Sequence, residues 1–212
     1  GMRFLRSTAH HKKYWQERKI DWQKDYSSTW NHPHRFLISG ILKTFNWVSL
    51  FEIGCGSGAN LINIVKSFQG KTIQLGGSDI NPEAIRVAQE TLKGAVLKVG
   101  SGDDVIMSDD SADVVLTDAF LIYVGPREID NYIREIKRIT RSYVVLCEFH
   151  STSLYDRIKL KWKSGYNAYN YIKLLQKHGF YDIITYKLSP EAWPGDTYPR
   201  FILKAKIGRK LW

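Results

Sequence analysis

The tightest constraint in this chain is a turn. Residues Phe51-Glu52-Ile53-Gly54-Cys55-Gly56-Ser57-Gly58-Ala59-Asn60-Leu61 place three glycines within five positions, directly after an apolar run. A glycine takes left-handed backbone at no steric cost and lets a ligand come close to the main chain. The residues that follow, 59–68, have apolar positions at helical spacing. The turn therefore leads from a buried strand into a helix whose first N–H groups point back over the glycines, a place suited to a polar or anionic ligand. A plain connector does not need so many glycines.

Around the turn the pattern alternates. Apolar runs at 47–53, 72–79, 95–99, 112–117, 142–149, 180–188 and 201–207 are expected strands. Helical stretches are expected at 59–68, at 82–93 after the capping Asn81-Pro82, at 126–138, and at 167–178 before Gly179. Such alternation gives an α/β fold, doubly wound, with a mostly parallel sheet and helices on both faces. Ligands in such sheets sit beyond the carboxyl ends of the strands, where the strand order reverses. Before the alternation, 8–25 reads as one helix rich in Lys, Trp and Tyr, and 33–45 as a second helix with proline in its first turn. Residues 1–46 thus form a helical extension or lid, and 47–212 the α/β domain.

The glycine loop alone leaves two ligands open. Gly54-x-Gly56-x-x-Ala59 also fits the dinucleotide fingerprint of an NAD(P)-dependent oxidoreductase. Asp79, at the end of the next strand, can accept both ribose hydroxyls of either cofactor. Taken with Glu52, however, the run E-x-G-x-G-x-G resembles the first motif of class I S-adenosylmethionine-dependent methyltransferases. Ser78-Asp79-Ile80-Asn81-Pro82-Glu83-Ala84-Ile85 resembles the second motif of that family. Asp110 to Thr117 resembles its entry to the fourth strand, and Leu121-Ile122-Tyr123-Val124 the run beyond it. The resemblance covers about residues 47–150 and extends to bacterial small-molecule members. It implies a seven-stranded sheet with an antiparallel last strand, and S-adenosylmethionine as cofactor. It also implies cofactor contacts from Glu52, Gly54, Cys55, Gly56, Gly58, Asp79, Ile80 and Asp118. Where many relatives carry Gly-Asp-Ala, this chain has Gly100-Ser101-Gly102, so Ser101 and Gly102 take the adenine position, with Asp103 as a substitute acid.

A sulfonium is already an activated methyl donor, so the protein must align the reactants, exclude water and accept a proton where the nucleophile carries one. Candidate bases near the strand ends are Asp118, Tyr123, Glu148 and His150. His150 is the first choice, because an imidazole titrates near neutral pH. The cluster Trp30-Asn31-His32-Pro33-His34-Arg35 suggests a substrate lid carrying Trp30, His34 and Arg35. The paired histidines have no further clustered ligands, so no metal is expected. Tyr155 and Lys159 match the spacing of the short-chain dehydrogenase pair, a coincidence to be expected in a chain with 12 tyrosines and 31 Lys+Arg. Residues 157–163 alternate basic and apolar, the period of a strand.

Charge bears on the acceptor. Net charge is +10, but residues 51–130 carry 6 Lys+Arg against 12 Asp+Glu, between flanks carrying 9 against 3 and 16 against 6. Basic surfaces attract anions. The strand run Thr117-Asp118-Ala119-Phe120 lacks the prolines found in base-amine methyltransferases, and neither Cys55 nor Cys147 is placed for cytosine-C5 chemistry. A small acceptor, suited to an anionic group and methylated on oxygen or nitrogen, is preferred. RNA is the alternative, and nucleic acid is disfavoured as a partner. The 189–199 loop, with three prolines, is expected to wall a closed pocket. No apolar stretch nears the roughly 20 residues that span a bilayer. The basic Gly1–Lys13 lacks a signal-peptide core, and two cysteines make no disulfide framework. A cytoplasmic protein without a membrane partner is expected.

Overall fold

In the computed structural model, which describes residues 6–192 and 199–208, seven strands form one sheet. Their order in space is β3 (Val96–Val99), β2 (Gln74–Asp79), β1 (Ser49–Ile53), β4 (Ala112–Asp118), β5 (Thr140–Phe149), β7 (Arg200–Ile207) and β6 (Phe180–Lys187). β1 pairs in parallel with β2 and β4, β2 with β3, and β4 with β5. β7 runs antiparallel to both of its neighbours. The expected mostly parallel sheet with an antiparallel last strand is therefore present. The chain leaves β1 toward β2 and β3 and returns to the other side of β1 as β4. That reversal opens a crevice above the ends of β1 and β4, where this class of sheet binds its ligands.

Alternate residues along the strands feed two cores. Leu50, Val114, Leu116, Val145 and Ile202 pack on one face with helices α3 (Pro33–Leu42), α4 (Ala59–Ser67) and α5 (Pro82–Thr91). Phe51, Ile53, Val115, Val144, Leu146 and Leu203 pack on the other with α6 (Ile129–Ile139) and α8 (Tyr171–Lys177). Asn81 caps α5 by accepting the N–H groups of Glu83 and Ala84, and Pro82 fills the first turn, as the sequence suggested.

Several boundaries differ from expectation. The stretch 8–25 is two helices, α1 (Thr8–Glu17) and α2 (Trp22–Asp25). The chain extends at Arg18, where Asn81 Nδ2 donates to the carbonyls of Trp15 and Arg18, and Asp21 then caps α2 by accepting the Lys24 N–H. A 3₁₀ turn, Ser27–Asn31, joins α2 to α3. The helix expected from 167 begins at Tyr171, behind the capping Asn170.

The main correction lies at 157–163. These residues form no strand; they belong to helix α7 (Leu154–Ser164). Ser153 accepts the Asp156 N–H at its start, and Gly165, with φ 81°, closes its end. The period-2 alternation misled because Leu154, Ile158 and Trp162 also recur every four residues, and the two caps decide between the readings. In the proline-rich loop, Pro190–Ala192 is a 3₁₀ turn, while 193–198 lie outside the described residues. Among the described residues, no helix is long and apolar enough to cross a membrane.

Candidate active site

The three loop glycines all have positive φ, but for different reasons. A Cβ on Gly54 would lie 2.4 Å from Phe120 Cδ2, and one on Gly58 would lie 2.6 Å from Leu92 Cδ1. Those two glycines serve packing. A Cβ on Gly56 would meet only Trp22 and Tyr26, at 3.9 and 4.0 Å, so this glycine borders open space. Asp79 holds the loop from below: Oδ2 accepts the Gly56 N–H at 2.8 Å and Oδ1 the Asn81 N–H at 2.9 Å.

A buried polar network lies beside the loop. Asp118, at the end of β4, accepts through Oδ2 from His34 Nε2 (2.9 Å), Asn60 Nδ2 (3.0 Å) and Arg35 Nη1 (3.2 Å), with Arg200 Nη1 at 3.5 Å from Oδ1. Asn60 Nδ2 also donates to Glu52 Oε1 at 2.7 Å. Burial pushes the Asp118 carboxyl up, but the His34 hydrogen bond and the Arg35 and Arg200 guanidiniums hold it well below the usual carboxylate range. Glu52 moves the other way. Burial lifts it to about 8, against the Asn60 hydrogen bond and with the Asp118 charge adding to the rise. Glu52 Oε2 is buried without a hydrogen-bond partner among the described residues.

Loop and network open into one cavity of about 550 Å³. Its floor carries Glu52, Gly54, Cys55, Gly56, Asp79, Ile80, Ser101, Gly102 and Asp118. Its roof comes from the N-terminal segment, with His11, Trp15, Trp22, Tyr26 and Arg35. The roof is fastened at several points. Ser27 Oγ donates to Ser57 O and Ser57 Oγ to Trp22 O, Lys12 pairs with Asp103 at 2.8 Å, and Thr8 Oγ1 donates to Glu128. One end of the cavity is aromatic. The Tyr123 ring lies 5.1 Å from His11, 5.4 Å from Trp15 and 5.6 Å from Tyr166, with Phe149 beyond.

Some expected residues fall elsewhere. Gly58 lies behind the loop at the start of α4, off the lining. Trp30 is half-buried against the α3 and α4 core, and His34 sits behind Arg35, so of the three proposed lid residues only Arg35 lines the cavity. His150 is off the lining as well: it is buried, its Nδ1 accepts the Tyr171 N–H at 3.1 Å, and its ring packs on Phe201. Glu148 Oε1 accepts the Phe120 and Leu121 N–H groups, a bracing position below the β4 end. Asp103 pairs with Lys12 and with Ser101 at the cavity's edge. Tyr155 and Lys159 are one turn apart on α7, with Tyr155 71% exposed and outside the cavity, so they form no acid/base pair there. His11, Asn60, Tyr166 and Arg200 line the cavity without having been expected. Only the aromatic density of 8–25 hinted at the first.

Residues 50–142 match a family model described as a methyltransferase domain. Over those residues the chain carries a methyltransferase domain, of the S-adenosylmethionine-dependent kind. Among curated proteins, none matches the sequence. Solved methyltransferases share the fold. One from Methanosarcina mazei is 20% identical with TM-score 0.62, covering 79% of this chain and 96% of its own. Magnesium protoporphyrin IX methyltransferase from Synechocystis PCC 6803, with bound SAH, is 17% identical with TM-score 0.64, covering 97% and 96%. Geranyl diphosphate C-methyltransferase from Streptomyces coelicolor A3(2) is 10% identical with TM-score 0.69, covering 95% and 98%. At such identities the likeness carries the fold, and the methyltransferase's acceptor has to be argued from its own cavity.

Proposed function

We propose that this methyltransferase transfers a methyl group to an oxygen or nitrogen of a small acceptor held at the aromatic end of the cavity. The carrying observation is that the aromatic wall and the glycine loop border the same roofed space. Its volume is in the range of small-molecule sites.

The residues present suit the cofactor. The unpartnered Glu52 Oε2 offers an acceptor for an ammonium group, Gly56 leaves the main chain open, and Asp79 stands at the strand end for ribose hydroxyls. Ile80, Ser101 and Gly102 would border the adenine, and Cys55 and Gly54 the loop side. Bound there, the cofactor supplies a sulfonium-activated methyl group. What remains for the protein is to align the acceptor, keep water out and take up its proton.

Among the sequence candidates, Asp118 is already engaged by three donors and an ion pair, and burial raises the Tyr123 hydroxyl far above its ordinary range, which makes it a donor rather than a base. His11 is better placed. It lines the cavity beside Tyr123, and its Nε2 has no hydrogen-bond partner among the described residues. Burial, with Lys161, His10 and Arg6 nearby, lowers it to about 4, so it is a neutral imidazole that accepts a hydrogen bond from the acceptor's O–H or N–H. The lining cations Lys12, Arg35 and Arg200 each face Asp103 or Asp118. This pairing favours an apolar-faced acceptor over the anionic one suggested by the overall charge.

The test is formation of S-adenosylhomocysteine with a panel of small phenols and amines, against mixed cellular RNA. Turnover with a small acceptor is expected, with kcat lowered about 10²-fold or more in His11→Ala and cofactor affinity unchanged. Turnover on RNA alone would sink the small-acceptor reading. A thermal shift by NAD and none by S-adenosylmethionine would sink the cofactor assignment.

A further inference from the structure

The three most exposed large hydrophobic residues among the described ones are all on α7: Tyr155 at 71%, Trp162 at 66% and Leu154 at 63%. Ile158, at 53%, completes the set. At about 3.6 residues per turn, Leu154, Ile158 and Trp162 form one ridge, with Tyr155 beside it. The opposite ridge holds Leu160 and Ser164, which are buried; Leu160 packs with Ile122, Phe149 and Ala168. The helix thus has two apolar faces, and among the described residues only one is covered.

The uncovered face is bordered by cations on both sides. Helical spacing puts Lys159 and Lys163 along one edge and Arg157 and Lys161 along the other. Asp156, the acid of this helix, falls on the ridge of Leu160 and Ser164, away from the stripe. Arg157 is held by Ser151 O at 2.8 Å and Lys161 by Gly165 O at 2.8 Å, so that edge is fixed to the scaffold.

We propose that α7 is a docking surface for a membrane bearing anionic headgroups. An apolar ridge with Trp and Tyr, flanked by basic residues on both sides, is the pattern of a helix lying in the plane of a lipid interface. Anionic headgroups complement both edges at once. A second copy laid on the same face would set its own cationic borders against these, a like-charge arrangement that disfavours self-association. The helix lies in the surface and does not cross it. Phe149 precedes α7 and Tyr166 follows it, and both line the cavity. Docking therefore brings the aromatic end of the cavity next to the interface.

The proposal stands apart from the nature of the acceptor, and its test does not use turnover. The full chain is sedimented with vesicles of phosphatidylcholine alone and of phosphatidylcholine mixed with phosphatidylglycerol. Binding is expected on the mixed vesicles, weakened by salt. Ile158→Ser combined with Trp162→Ser, both at exposed positions, should reduce partitioning about tenfold or more, with melting temperature and the cofactor-induced shift unchanged. Lys159→Glu with Lys163→Glu should lower it at least fivefold per lysine, about 1 kcal/mol each, and remove the preference for anionic vesicles. No binding to mixed vesicles, or equal binding by the Ile158/Trp162 variant, overturns the proposal. So does sedimentation velocity showing a dimer that the same variant dissociates, since a second copy would then cover the stripe.

Discussion

His34 Nε2 lies 2.9 Å from Asp118 Oδ2, joining the third helix to the end of the fourth strand beneath the cavity. The same oxygen is reached by Arg35 and by Asn60, and Asn60 continues the contact to Glu52. One carboxylate thus fastens the roof and braces the floor. Removing its charge takes a buried carboxylate away from the Arg35 and Arg200 guanidiniums. Asp118→Asn should cost about 3–5 kcal/mol, the scale for breaking a buried ion pair from one side. Urea unfolding measures it, and a loss below about 1 kcal/mol, the scale of a surface pair, would show that the network is not structural.

Glu52 should exchange a proton when the cofactor binds. With its pKa lifted to about 8 by burial, it is mostly a neutral acid at pH 6.5. An ammonium placed near its free oxygen favours the ionised form. Cofactor binding at that pH should therefore release close to one proton in the wild type and none in Glu52→Gln. Calorimetry in two buffers of different ionisation enthalpy reads the number directly, and equal heats in both buffers for the wild type would refute it.

Asp79 should affect both the loop and the cofactor. Its two oxygens already accept the Gly56 and Asn81 N–H groups. Asp79→Ala should weaken cofactor binding by about 1.5–3 kcal/mol, the range for hydrogen bonds to a charged group. Asp79→Asn retains one carbonyl acceptor and should lose less. Calorimetric titration of both variants separates the outcomes, and unchanged affinity in Asp79→Ala would leave Asp79 as a strand-end cap only.

What could be read from the sequence follows from how local each signal is. The glycine turn, Asp79 and the Asn81-Pro82 cap are contiguous features whose geometry is fixed by a few neighbouring residues, and the structure has all three in place. His11 and Tyr166 are 155 positions apart and meet around Tyr123 only because the N-terminal helices fold over the sheet. No local pattern encodes that. His150 is attractive in the sequence because it follows a strand and an imidazole titrates near neutral pH, but its neighbour in space is the start of α8, whose Tyr171 N–H donates to its ring nitrogen. At α7 the alternation at 157–163 and the four-residue spacing from Leu154 competed, and the end caps settled it.

Glu148 makes the cofactor-free fold sensitive to pH. Burial raises its pKa to about 7, although the Leu121 and Phe120 N–H groups and Thr117 lower it in part. In the unfolded chain the same group titrates in the ordinary carboxylate range, near 4.3. Between the two values the folded state holds a proton that the unfolded state has lost, so this contribution to stability is complete below the lower value and disappears as pH rises through about 7. The melting temperature should fall from pH 5 to pH 8, and Glu148→Gln should flatten the decline. A variant as steep as the wild type would show that Glu148 ionises normally in place.

RNA binding should be weak and should not show a steep dependence on salt. A basic track along one strand face, as the alternation at 157–163 suggests, would suit a nucleic-acid backbone, since many phosphate contacts release many counterions. On α7 that track does not exist. Lys159 and Lys163 lie on one side of an exposed apolar ridge, and Arg157 and Lys161 lie on the other. A phosphate backbone cannot follow both edges without crossing Ile158 and Trp162. Elsewhere Lys12, Arg138, Arg141 and Lys177 are paired with Asp103, Asp109, Asp113 and Asp130, so each phosphate contact there must displace a carboxylate. Filter binding with mixed cellular RNA at two salt concentrations should give affinities weaker than about 1 μM near physiological salt, at the non-specific level. Sub-micromolar binding there, with a slope requiring many phosphates, would restore RNA as the acceptor.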